Sequence, residues 1–221
     1  MAVVLLIRHG QASFGGSDYD RLSERGEQQS RIVGQRLAAM GPVDRVVHGS
    51  LRRQVQTAEQ CLEVLGTEPS CIRDPRWDEY DSGDIMRPLP ADEGLATAED
   101  PRRAFQARLE QALTRWTDGE HDEDYEEPYP AFHDRCRAAL DQVLDGVGRS
   151  QTVAVFTSGG VIAALCAQWL GADAAGWAAL NRVVVNSSIS KLVHGRSGTN
   201  LVTVNDHAHL EGQPRELLTY R

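Results

Sequence analysis

Residues 2–7 read Ala-Val-Val-Leu-Leu-Ile with no polar side chain, and the run breaks directly into Arg8-His9-Gly10. A strand with one wet face alternates apolar and polar residues. This one does not, so both of its faces must be covered. The covering layers have to be helices, because strands of this kind occur in parallel sheets joined by helical crossovers. The run is far shorter than the roughly 20 residues a membrane-spanning helix needs. It also lacks a basic flank and a cleavage site, so the expected location is cytoplasmic.

The pattern recurs. Val43 to His48 and Thr152-Val153-Ala154-Val155-Phe156 are two further apolar runs, and helical signals lie between them. Ser23 stands as an N-cap before an apolar stripe of Ile32, Val33, Leu37 and Met40, which Gly41-Pro42 ends. A second helix is expected over 51–65, closed by Gly66, and a short strand over 70–73. Residues 74–99 carry Pro, Gly and Asp throughout and read as irregular. Asp100-Pro101 starts a helix to about Trp116. Residues 118–127 form an acidic, solvated loop, with a lid as the other reading. Helices are expected over about 130–144, 159–170 and 174–180. Ser188–His194 and Leu201–Asn205 alternate across Arg196-Ser197-Gly198-Thr199 and predict an antiparallel hairpin. The fold class is therefore α/β, a three-layer α/β/α sandwich around a mostly parallel sheet with an antiparallel edge hairpin. The 221 residues are read as one domain with a helical and irregular insertion at about 81–130. The edge hairpin is compatible with a homodimer.

Composition narrows the chemistry. The formal net charge is −9, which argues against nucleic acid or an anionic membrane as partner. A local group of arginines can still hold a small anion. Cys61, Cys71, Cys136 and Cys166 show neither CxxC pairing nor zinc spacing, so free thiols and no metal site are expected.

In an open α/β sheet, ligands bind beyond the carboxyl ends of the strands. The residues there are Arg8-His9-Gly10, then Gly49 to Ala58, then Thr157-Ser158-Gly159-Gly160. Arginine offers a planar, permanently charged fork for phosphate. A neutral imidazole is a nucleophile near pH 7. The glycine pair opening a helix presents backbone N–H groups to an anion. An imidazole and arginines at adjacent strand ends, grouped around one phosphate, would make a phosphoryl-transfer site.

Four ordered segments carry a family resemblance. They are Leu6-Ile7-Arg8-His9-Gly10-Gln11 with Leu22-Ser23-Glu24-Arg25-Gly26, Leu51-Arg52-Arg53-Gln54-Val55-Gln56-Thr57-Ala58, Trp77-Asp78-Glu79, and Phe156-Thr157-Ser158-Gly159-Gly160. Asn205 to Leu210 resembles the closing segment. Together they resemble the histidine phosphatase superfamily, the phosphoglycerate mutase-like proteins. The resemblance implies His9 as the phosphate-accepting nucleophile, Arg8 and Arg53 as phosphate ligands and Glu79 as proton donor. It further implies Gln11, Ser13, Ser158 and Gly159 as substrate contacts, with no cofactor and no metal. The substrate would be a small phosphorylated molecule.

This chain departs from the family pattern at Ser158, where a second histidine is usual, and at Ala12 and Gly15. Losing one charge-assisted contact costs about 1.5–3 kcal/mol, or roughly one to two decades in rate at about 1.4 kcal/mol per decade. The expected result is a slower or differently tuned enzyme. His207 and His209 are read as packing residues rather than as a replacement imidazole. Three functions stay open: a metal-independent phosphomonoesterase, a mutase acting on a phosphorylated three-carbon acid, and a low-activity phosphate or phosphoprotein binder. The first is favoured, because 81–130 holds arginines without a compact basic cluster, and a pure binder needs neither His9 nor Glu79.

Overall fold

A computed structural model of the protein describes residues 1–13, 20–90 and 100–220, without the side chains of Pro101 and Arg102. Gly15 and the 91–99 stretch therefore lie outside the described residues. The chain divides into two compact units, Met1–Glu79 with Cys136–Arg221, and Tyr80–Arg135.

The first unit is built on a six-stranded mixed sheet. Its strands are β1 (Ala2–Arg8), β2 (Arg45–His48), β3 (Ser70–Arg73), β4 (Thr152–Thr157), β5 (Ile189–Gly195) and β6 (Gly198–Asp206), in the order β3-β2-β4-β1-β5-β6. The first four run parallel; β5 is antiparallel to β1 and to β6. The apolar runs occupy β1 and β4 at the sheet centre, and both are almost wholly buried. Helices flank the sheet: α1 (Glu24–Met40), α2 (Arg52–Leu65), α6 (Gly159–Leu170) and α7 (Ala174–Val183). Leu5, Ile7, Val46, Ala154 and Phe156 pack with Val33 and Leu37 of α1 and with Ala58 and Cys61 of α2 in one apolar cluster. Burial of the Val, Leu, Ile and Phe side chains among them contributes about 1.5–3 kcal/mol each. Helix α6 is buried along its first nine residues, matching its lack of a polar face.

The second unit contains α3 (Ser82–Met86), α4 (Pro101–Trp116), a 3-10 turn over Asp122–Asp124 and the start of α5 (Tyr129–Gly146). Trp116, Tyr80 and Phe132 stack with ring centroids 5.4–5.9 Å apart. Two acids of the acidic run pair with arginines, Asp124 with Arg115, and Glu127 with Arg135 at 2.6 Å.

Two sequence expectations change. The stretch 74–99 is not irregular throughout. Asp74 caps a 3-10 turn at Pro75–Trp77, and Asp81 caps α3 by accepting from the Gly83 N–H. Both elements are too short to show an apolar period, so only their caps could reveal them. Strand β6 also begins at Gly198 rather than near Leu201, and pairs as far as Gly195↔Gly198. Its outer residues are exposed, and backbone pairing there needs no alternation to announce it. Among the described residues no helix is long and apolar enough to cross a membrane.

Candidate active site

The parallel register sets the site. Arg8 pairs with Thr157 and His48 with Phe156, so the residues following β1, β2 and β4 emerge side by side. The His9 N–H donates to Thr157 O at 2.9 Å, and the Gly49 N–H to Phe156 O at 3.2 Å. These bonds carry the ladder one residue past each strand before the chains diverge.

The loop after His9 is pressed onto α1. A Cβ on Gly10 would stand 2.4 Å from Gly26 O, and one on Gly26 would stand 2.1 Å from Gln11 O. Only two glycines allow that approach. Side chains then lock it. The Thr57 hydroxyl donates to Arg53 O at 2.7 Å and accepts the Gly10 N–H at 3.0 Å. Gln29 Oε1 accepts the Gln11 N–H at 2.8 Å, and Gln56 Oε1 accepts the Leu22 N–H at 2.9 Å. Asn186 Nδ2 donates to His9 O at 3.1 Å.

His9 is 6% exposed. Its Nδ1 lies 2.7 Å from Gly10 O. A carbonyl can only accept, so Nδ1 carries the proton and Nε2 holds the lone pair. Arg53 Nε donates to that Nε2 at 3.1 Å. Burial, and then the charges of Arg53 and Arg8, hold the imidazole pKa well below the ordinary histidine value. The ring is neutral at neutral pH and presents a nucleophilic nitrogen to a guanidinium. Arg53 is itself anchored by Asp20, whose Oδ1 accepts from Nη1 at 2.6 Å.

Arg8 is buried at the end of β1, and its Nη1 donates to the carbonyls of Val184 and Tyr220. A Cβ on Gly159 would stand 3.4 Å from Arg8 Nε and 3.3 Å from Asn181 Oδ1. The guanidinium is thus seated against the first turn of α6. Glu79 reaches the same turn, where its Oε2 accepts the Gly160 N–H at 3.1 Å. The segment carrying Glu79 is held by Asp78, whose carboxylate accepts from the Ser50 hydroxyl and backbone N–H. Ser158 is fully buried, and its Oγ accepts from Gln54 Nε2 at 2.9 Å.

The structure therefore gathers Arg8, His9, Arg53, Glu79, Ser158 and Gly159 at adjoining strand ends and the start of α6. Gln11 and Ser13 engage their own loop: Gln11 Oε1 accepts from the Ser23 hydroxyl at 3.0 Å, and the Ser13 hydroxyl donates to Leu22 O at 3.2 Å. His207 Nδ1 donates to Asn205 O, and His209 Nε2 to Ser187 O. Sequence reasoning did not single out Asp20, Gln54 or Asn186. Gln54 stands beside Arg53 in a quoted motif, but Asp20 and Asn186 carry no local signal. Among the described residues no group of three or more His, Cys, Asp or Glu is placed to hold a metal ion.

Residues 4–207 match the family model described as the histidine phosphatase superfamily, branch 1. A probable phosphoglycerate mutase, GpmB, of Erwinia tasmaniensis is 30% identical over 96% of each chain. A mycobacterial glucosyl-3-phosphoglycerate phosphatase has a similar fold, with TM-score 0.63 and 24% identity over 92% of this chain and 98% of that one. So does a phosphoserine phosphatase from Entamoeba histolytica, with TM-score 0.65 and 16% identity over 95% of this chain and all of that one. With its model matched across the sheet, the strand-end arginines and the histidine between them, the chain belongs to branch 1 of the histidine phosphatase superfamily.

Proposed function

We propose that the protein hydrolyses a small phosphate monoester through a phosphohistidine on His9, without a metal ion. The observation that carries the reading is the tautomer of His9, with Nδ1–H tied to Gly10 O and Nε2 facing the Arg53 guanidinium. A neutral imidazole fixed this way attacks without first losing a proton.

In the first step Nε2 attacks phosphorus in line, and the bond from phosphorus to the leaving oxygen breaks. The Arg53 N–H that caps Nε2 passes to a phosphoryl oxygen as the substrate arrives. Arg53 and Arg8 then stabilise the spreading negative charge. Glu79 donates a proton to the leaving oxygen. In the second step Glu79 takes a proton from water, which attacks the phosphohistidine and releases inorganic phosphate. Ser158 stands where the family pattern has its second histidine, and its hydroxyl gives a neutral hydrogen bond in place of a charged one.

The alternative is phosphoryl transfer between phosphoglycerates, favoured by the name of the Erwinia relative. Against it, two of the arginines in 81–130 are engaged with acids, Arg87 with Asp84 at 2.7 Å and Arg115 with Asp124. A mutase has to offer extra positive charge to a substrate carboxylate.

The test is release of 4-nitrophenol from its phosphate ester in the presence of EDTA, beside a His9→Ala variant. His9-dependent release supports the phosphatase. Interconversion of phosphoglycerates without net phosphate release replaces it with the mutase. Phosphate binding by calorimetry with neither reaction replaces it with a binder.

A further inference from the structure

Gln54 is fully buried and touches three parts of the site at once. Its Nε2 donates to Ser158 Oγ at 2.9 Å and to Trp77 O at 3.0 Å, while its Oε1 accepts the Leu51 N–H at 3.3 Å. The amide cannot be turned over. A flipped carboxamide would set its oxygen against the Trp77 carbonyl and its NH₂ against the Leu51 N–H. The space is cut to this side chain as well, since a Cβ on Gly49 would stand 1.9 Å from Gln54 Oε1.

That orientation has a consequence for Ser158. Its hydroxyl has one proton to give. Gln54 occupies an acceptor position on Oγ, so the O–H cannot point back at the amide. Trp77 O is already taken by Gln54 and by the Thr157 hydroxyl at 2.6 Å. Ser158 is the N-cap residue of α6, but its side chain makes no capping bond. The proton is thus kept from these neighbours.

We propose that Gln54 is a positioning residue whose carboxamide, bridging Ser158 and the Trp77 carbonyl, turns the Ser158 hydroxyl into a donor directed at the phosphoryl group. The proposal rests on the phosphatase reading above. A lone serine in the position of a second imidazole has a free rotor. Paired with Gln54, it becomes an oriented neutral donor, and orientation in advance is what makes a transition-state hydrogen bond effective.

The experiment is a double-mutant cycle on 4-nitrophenyl phosphate hydrolysis, with melting temperatures recorded for every variant. Wild type and His9→Ala come first. Absence of His9-dependent release brings down the phosphatase reading, and this proposal with it, before any Gln54 variant is made. Given release, Gln54→Met, near in volume but unable to donate, is expected to lower kcat roughly 10-fold, as loss of one oriented hydrogen bond does, with KM within about threefold. Ser158→Ala should show a similar loss, and Gln54→Met/Ser158→Ala no further loss than Ser158→Ala alone, because Gln54 acts through the hydroxyl. Gln54→Glu should lose more than Gln54→Met, since a carboxylate draws the Ser158 proton to itself. Losses that multiply in the double variant, or a fall in kcat that tracks melting temperature alone, overturn the proposal in favour of packing. Ser158→Ala removes a single atom, so it serves as the decisive variant should Gln54→Met fail to fold. Wild-type kcat in Ser158→Ala overturns the proposal regardless of Gln54.

Discussion

The two carboxylate oxygens of Asp20 divide between two tasks: Oδ1 accepts from Arg53 Nη1 at 2.6 Å and Oδ2 accepts the Arg52 N–H at 2.6 Å. One residue thereby holds the first turn of α2 and the guanidinium that faces His9. The carboxylate also sits at the positive end of the helix dipole.

Asp20→Ala should therefore harm catalysis more than folding. The Asp20 side chain is 36% exposed, and ion pairs at that exposure contribute only about 0–1 kcal/mol to stability. We expect kcat/KM to fall about 10-fold as Arg53 loses its aim, with the melting temperature lowered by no more than about 4 °C. Steady-state kinetics beside calorimetry checks this. A large melting shift with unchanged kinetics would refute it.

Gly26→Ala tests the seat of the loop on α1. The added methyl would stand 2.1 Å from Gln11 O and 2.9 Å from Gln11 N, and backbone cannot rotate away as a side chain can. Overpacking of this kind costs about 1–3 kcal/mol. The expected outcome is a lower urea midpoint and, because the loop leads back to His9, reduced activity in the fraction that folds.

Thr57→Val keeps shape and removes the hydroxyl that joins Arg53 O to the Gly10 N–H. The Gly10 N–H is then buried without an acceptor, at about 1–3 kcal/mol. Chemical denaturation should report that loss. Thr57→Ser, which retains the hydroxyl, should recover most of it.

The depressed pKa of His9 sets a direction for stability against pH. In the unfolded chain a histidine takes up a proton as pH falls through about 6.5. In the folded protein His9 stays neutral well below that, owing to burial and to Arg53 and Arg8. The unfolded state binds more protons in this window, so stability rises with pH there. The contribution is level above about 6.5 and is lost as pH drops toward the folded value, by at most about 1.4 kcal/mol per unit. His209 shifts in the same direction through burial and adds to the slope. His9→Gln should flatten the fall in melting temperature between about pH 7 and pH 5. An unchanged slope would mean that His9 is protonated in the folded state.

The amino-acid order by itself determined the sheet centre and the starts of the longer helices, and through the family resemblance it pointed to Arg8, His9, Arg53 and Glu79 as candidates. Apolar runs without alternation can be satisfied only by burial on both faces, and a cap such as Ser23 acts on its own first turn. Both are local constraints that a linear reading captures. Tertiary structure alone decided which groups surround those residues. Asp20 reaches Arg53 across 33 positions, Asn186 reaches His9 across 177, and Gln54 reaches Ser158 across 104. A hydrogen bond between residues so far apart leaves no period or spacing in the chain. It exists because the parallel register brings the ends of β1, β2 and β4 to one level.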